Sequence, residues 1–147
     1  MTVDIKAVEG DASGFTREVE ATLDESARAL GRPFDDGGIN LRADDAAGVF
    51  LGGLCGEFLQ GWLYVKYLAV AKQARTLGVG RALMEGAEAE ALRRGLAGVY
   101  LDTFDFQAPG FYMKMGYAEF GRLPAAGDTP QRIWFAKAFG QEEQQDE

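Results

Sequence analysis

The sequence predicts an α/β fold, a central mixed sheet of about seven strands flanked by helices on both faces. Three stretches carry that prediction. Trp62–Val70 is apolar on both faces, as a central strand is. Val79, Leu83, Ala87 and Ala91 then recur on one helical stripe, with Glu85, Glu88, Glu90, Arg93 and Arg94 mostly off it. Val99–Phe104 follows as a second apolar strand, and a crossover through the helix pairs it parallel with the first.

The remaining elements follow in chain order. Thr2–Val8 alternates enough for a strand. Phe15, Val19, Leu23, Ala27 and Leu30 predict a helix, which Gly31, Pro33, Gly37 and Gly38 end. Ile39–Ala43 and Gly48–Leu59 read as strands joined at Asp44-Asp45, with Gly52, Gly53 and Gly56 marking either a bulge or a close backbone approach. Gly95 stops the stripe-bearing helix. A short helix around Pro109–Met115 ends at Gly116, and Tyr117–Leu123 and Arg132–Phe139 complete the sheet. Met84, Met113 and Met115 are expected in the core, Cys55 as a buried small residue, and Trp62 and Trp134 in the core or an interface. The chain shows no internal repeat and no linker. It reads as one domain over residues 1–139, with an acidic, disordered tail over 140–147.

Composition narrows the chemistry. With 47% apolar residues in 147, one full core can be built. No apolar run approaches the ~20 residues that cross a bilayer. Met1–Gly10 lacks the basic and apolar regions of a signal peptide, and a single cysteine allows no intrachain disulfide; both fit a cytoplasmic protein. The formal charge of −8 argues against nucleic acid as a partner and weakly favours cationic substrates. The absence of histidine removes an imidazole base, a Ser-His-Asp triad and nearly every common zinc site, so no metal is expected. Chemistry falls to carboxylates, tyrosines, lysines, backbone amides or water.

The stretch Gln73–Gly80 reads Q-A-R-T-L-G-V-G, after a strand and before a helix. Alternate glycines permit a tight turn and close approach of an anion, and the first amides of the helix lack internal partners. A second motif, Gly110-Phe111-Tyr112-Met113-Lys114-Met115-Gly116-Tyr117, places a tyrosine on a turn of helix near the C-terminus. With Arg75-Thr76-Leu77-Gly78-Val79-Gly80 matching R/Q-x-x-G-x-G/A, the chain resembles the GNAT superfamily of acetyl-CoA-dependent N-acetyltransferases over about Thr2–Phe139. The dinucleotide fingerprint and the Gly-Lys-Ser/Thr phosphate loop are both absent.

The resemblance implies a GNAT-like acyl-CoA N-acyltransferase fold split between the fourth and fifth strands, with coenzyme A in the opening. Amides of Arg75, Thr76, Leu77, Gly78, Val79, Gly80 and Arg81 would hold its pyrophosphate. The backbone of Leu68, Ala69 and Val70 would pair with the pantetheine arm, and an amide near Val70 would polarise the thioester. Tyr112 would donate a proton to the leaving thiolate, against the alternative of an aromatic packed beside Phe111 and Tyr117. Asp105 stands where many members carry a cofactor-contacting asparagine. It lacks the amide donors, and an N-cap for the turn at Gln107 is an equal alternative. Gln107 and Ala108 would line the cofactor arm.

Tyr64, Lys66 and Asp102 are the substrate-side candidates, with Lys66 expected to share a face with Tyr64 and Leu68. Lys66 would bind an acceptor carboxylate or snorkel to the surface at a bulge, and Asp102 would hold a base-side water or merely cap a strand end. No general base is evident. The expected activity is acetyl transfer from acetyl-CoA to a primary amine of a small molecule or peptide by direct attack in a ternary complex. The alternatives are a non-catalytic acyl-CoA sensor or an unrelated domain binding another phosphate ligand. Family resemblance suggests a homodimer.

Overall fold

The structure is a computed structural model that describes residues 1–34 and 37–140; the predicted acidic tail over 140–147 lies, beyond Gly140, outside the described residues. The chain divides into two compact units, Met1–Asp35 and Asp36–Glu147, taken here in turn.

The first unit is a single helix, α1 (Ser13–Ala29), with its N-terminal approach. The helix stops as the sequence predicts. Gly31 N–H bonds to Arg28 C=O and Arg32 N–H to Ala27 C=O, a Schellman closure. The apolar stripe from Phe15 onward builds no core of its own within this unit. Thr2–Val8 forms no strand. Its alternation permits an extended chain but supplies no neighbour, and a strand is held by its partner's hydrogen bonds.

The second unit is a six-stranded mixed sheet, one strand fewer than expected for that reason. The strands are β1 (Gly38–Asp44), β2 (Phe50–Leu59), β3 (Trp62–Val70), β4 (Gly98–Phe104), β5 (Ala118–Arg122) and β6 (Arg132–Ala138), in the order β1-β2-β3-β4-β6-β5. β3 and β4 form the parallel pair, joined through α2 (Val79–Arg93) as the βαβ reading requires. α2 packs across β1 to β4, burying Val79, Leu83, Met84, Ala87 and Ala91 against Leu54, Leu63, Val65, Val99, Leu101 and Phe135. Gly52 lets it lie there: a Cβ would come within 2.9 Å of Val79 Cγ1 and 2.8 Å of Ala69 O.

Two irregularities position the site. The β2–β3 register steps from Cys55↔Tyr67 to Gly56↔Val65, leaving Lys66 as an extra residue on β3. This bulge inverts the alternation: Leu63 and Val65 before it and Leu68 and Val70 after it all pack on the α2 side. Tyr64 and Leu68 therefore face opposite ways, and the expected shared face is corrected. At the same point β3 leaves β4, because their pairing runs only from Leu63↔Val99 to Val65↔Leu101. The split falls between the third and fourth strands because Thr2–Val8 adds none before them.

Two packing expectations also change. Cys55 is exposed, because it sits beside the bulge on the face away from α2. Met113 is exposed while Met84 and Met115 are buried; a six-residue helix, α3 (Pro109–Lys114), turns only part of its surface inward. Trp62 and Trp134 are half-buried, outside the buried core cluster.

Candidate functional site

A cleft of ≈ 1240 Å³ opens in the second unit where β3 diverges from β4. One wall is β3 from Tyr64 to Val70. The opposite wall is the end of β4, Gln107, Ala108 and the α3 residues Phe111, Tyr112 and Lys114. Beyond Val65, β3 has no partner on its β4 side among the described residues, while β2 continues to pair with its other edge as far as Val70. Unpaired backbone along Lys66–Val70 is thus open to a strand-like ligand.

The glycine loop closes one end. Ala74 is fully buried and anchors a short 3₁₀ turn, Lys72–Ala74. Gly78 then takes φ 75°, ψ 18° as the N-cap of α2, and no side chain caps the helix. A left-handed cap suits glycine, and its open amides at the positive end of the helix dipole suit an anion. Among the described residues, nothing beyond its two chain neighbours lies within 4 Å of the point where a Gly78 Cβ would stand. Gly80 faces Phe111, whose ring would sit 3.4 Å from an added Cβ. Arg75 and Arg81 line this end with Gly78, Val79 and Gly80, whereas Thr76 and Leu77 are exposed outside the lining.

Tyr112 stands on the α3 wall, which other contacts fix. Gly116 N–H bonds to Met113 C=O and Tyr117 N–H to Tyr112 C=O, closing the helix. The Tyr117 hydroxyl donates to Glu88 Oε2 at 3.0 Å, and Lys137 Nζ donates to Glu88 Oε1 at 2.9 Å and to Met115 C=O at 3.0 Å. These bonds tie the end of α3 to α2 and β6. The Tyr112 ring packs edge-on to Phe111 at 5.1 Å and tilted to Phe135 at 6.0 Å. Its hydroxyl has no hydrogen-bond partner among the described residues. Burial, and secondarily the Asp102 charge, push its pKa up to about 12, so the phenol keeps its proton at neutral pH.

Gln107 folds back on its own turn. Its Oε1 accepts the Thr103 hydroxyl at 2.9 Å and the Phe104 N–H at 2.8 Å, and the residue lines the cleft with its Nε2 donors not used in that turn. Asp105 is placed elsewhere. Its carboxylate accepts Gln131 N–H at 3.1 Å and its own N–H donates to Gln131 C=O at 2.9 Å, pinning the loop before β6. It lies outside the cleft lining, and the hydrogen bonds it makes are to the Gln131 backbone.

Asp102 is mid-strand on β4 rather than at a strand end. Its carboxylate accepts the Tyr64 hydroxyl at 2.7 Å and Arg132 Nε at 2.7 Å. Burial, then the hydrogen bond to Asp102, raise the Tyr64 pKa to about 12. Lys66 sits 3.3 Å from Glu57. Arg132 was not foreseen from sequence: it lies 30 positions from Asp102, and only the β4–β6 pairing joins them.

The cleft suits acetyl-CoA on three counts: an uncapped helix terminus, a strand edge without a partner among the described residues, and the cations Arg75 and Lys114 in its lining. The comparisons decide the family. The model of the acetyltransferase (GNAT) domain matches residues 36–119. The chain belongs to the GNAT family. GNAT membership makes it an acetyl-CoA-dependent acyltransferase. An acetyltransferase of Agrobacterium fabrum is 36% identical over 69% of this chain and 72% of its own length. The blasticidin-S acetyltransferase of Streptomyces morookaense is 42% identical over 52% of this chain and 57% of that protein. A crystal structure from Agrobacterium tumefaciens, named as an acetyltransferase, has TM-score 0.81 and 27% identity over 95% of this chain and 100% of that one. Among the described residues of this GNAT protein, no helix is long and apolar enough to cross a membrane.

Proposed function

We propose that the protein transfers an acetyl group from acetyl-CoA to a primary amine of a small molecule or peptide, by direct attack with both substrates bound. The observation that carries this reading is the pairing, in one cleft, of the uncapped Gly78 helix terminus with the unpartnered hydroxyl of Tyr112. Acetyl-CoA supplies an acyl carbon already activated as a thioester. The amides from Gly78 to Arg81, with Arg75 and Lys114, hold the diphosphate, and the free edge of Leu68, Ala69 and Val70 holds the arm. An amide near Val70 is the oxyanion donor. Gln107 offers amide donors on the opposite wall, the chemistry that Asp105 lacks. Tyr112, protonated up to about pH 12, carries a proton at Oη for a departing thiolate.

The blasticidin-S relative acts, by its name, on a small molecule, which favours small-molecule amines over protein termini. Thermal shift with acetyl-CoA, ATP and NAD tests the donor. At one hundred times its dissociation constant acetyl-CoA should add about 2.7 kcal/mol of stability, with no comparable gain from the other two. Equal stabilisation by all three would remove the reading. A panel of primary amines with thiol-release detection tests transfer itself.

A further inference from the structure

This inference rests on the proposed amine acetylation and concerns how the acceptor nitrogen is held. Cations crowd the cleft: Lys66, Arg75, Arg81, Lys114 and Arg132 line it, and Asp102 is the one carboxylate that does so among the described residues. A phosphate-bearing donor accounts for the cations at the glycine loop. It does not account for the carboxylate.

The surroundings of Asp102 are unusually well determined. Oδ1 takes the Tyr64 hydroxyl and Oδ2 takes Arg132 Nε, each at 2.7 Å, and the ion pair brings Nη2 to the same distance from Oδ2. Two hydrogen bonds leave about two of a carboxylate's roughly four acceptor sites open. Tyr64 is itself stacked on Tyr100 at 5.0 Å, and the Arg132 guanidinium lies 4.9 Å from the Trp134 ring centroid. Partners on β3 and β6 thus lock the carboxylate on β4, and its side chain is 14% exposed against 39% for Arg132.

We propose that Asp102 accepts a hydrogen bond from the incoming primary amine, and that Arg132 is the positioning residue that lets it do so without keeping the amine protonated. A bare carboxylate within ~4–6 Å would raise the amine pKa by about 1–3 units and leave no lone pair for attack. Arg132 offsets that charge, so the acceptor's ammonium gives its extra proton to water while Asp102 still orients the nitrogen. The other groups facing this point do not replace Arg132. Lys66 from β3 is compensated by Glu57 from β2, the phenols of Tyr64, Tyr100 and Tyr112 are neutral, and Lys114 projects from the α3 wall. The fitting acceptor is a primary amine presented as a hydrogen-bond donor.

Steady-state kinetics over a pH series, with acetyl-CoA and the best amine from the panel, test this. In Arg132→Gln the acid-side limb of kcat should move up by about one pH unit, and Arg132→Lys should return most of the shift. In Asp102→Asn the amine KM should rise ~10-fold while the acetyl-CoA dissociation constant stays at the wild-type value. Should Asp102→Asn not fold, Tyr64→Phe takes its place, with an expected amine KM increase of ~3-fold. A limb that stays in place in Arg132→Gln, or an unchanged amine KM in the Asp102 or Tyr64 variant, overturns the inference. Those results with an active wild type leave the acetyltransferase reading standing. A wild type that binds acetyl-CoA and turns over no amine removes both.

Discussion

At the glycine-loop end of the cleft, Arg75 has no carboxylate against it among the described residues, and α2 adds uncapped amides. At the other end every cation has its acid: Lys66 with Glu57 at 3.3 Å, Arg132 with Asp102 at 2.7 Å. On the proposed function the first end takes the anionic diphosphate, Arg81 there being already paired with Glu85 at 3.4 Å. The second, with its ion pairs formed, offers directed hydrogen bonds to the amine on the same reading. Charge left unpaired calls for a charged ligand, whereas charge paired in advance fixes the position of a group without demanding a counter-charge.

The largest test of that contrast lies between the two ends. Tyr112→Phe should lower kcat ~100-fold through loss of the acid, with coenzyme A affinity unchanged by titration. A weakened affinity instead would make Tyr112 part of the anion site and blur the division. Next comes Gly78→Val. A β-branched residue at φ 75° costs about 1–2 kcal/mol and displaces the amides, so coenzyme A should bind ~10-fold more weakly while the amine KM holds. Removal of Arg75 or Lys114 to Ala should each weaken coenzyme A binding ~3-fold at low ionic strength, and the difference should shrink in ~0.5 M salt. Salt-insensitive losses would mean that packing, not charge, organises this end.

The smallest effect is on stability. Tyr64 and Tyr112 have pKa values raised from 10.0 to about 12, so the folded chain holds these protons more tightly than the unfolded one. Their contribution is complete below pH 10 and is lost as pH rises through about 12. Thermal melts should fall across that window, and Tyr112→Phe, which cannot ionise, should fall less by ~2 °C. Parallel curves for the two proteins would show that the phenol is not shielded from water.

Much of this layout was legible in the residues, and the reasons differ by element. The stripe of Val79, Leu83, Ala87 and Ala91 is a local periodicity, and it folds as read. The strands from Trp62 and Gly98 follow from continuous apolar runs bounded by turns. Thr2–Val8 misled because alternation describes one chain, and a strand needs two. Lys66 misled because period-two counting assumes an unbroken ladder, and the bulge at that residue swaps the faces of everything after it. Asp105 was drawn toward the ligand by its motif position, but the nearby Gln131 backbone claims its carboxylate.

What the sequence determined alone is short-range: where helices start and stop, which loop can bare its amides, and which phenol rides on a turn before Gly116. These depend on dihedral preferences and on spacings of a few residues, which are written directly in the chain. Tertiary structure alone decided the rest: the parting of β3 from β4 at Lys66 and the meeting of Tyr64, Asp102 and Arg132. Those side chains lie 30 and 38 positions from Asp102. No local preference joins residues so far apart; only the sheet's strand order brings them within hydrogen-bond reach.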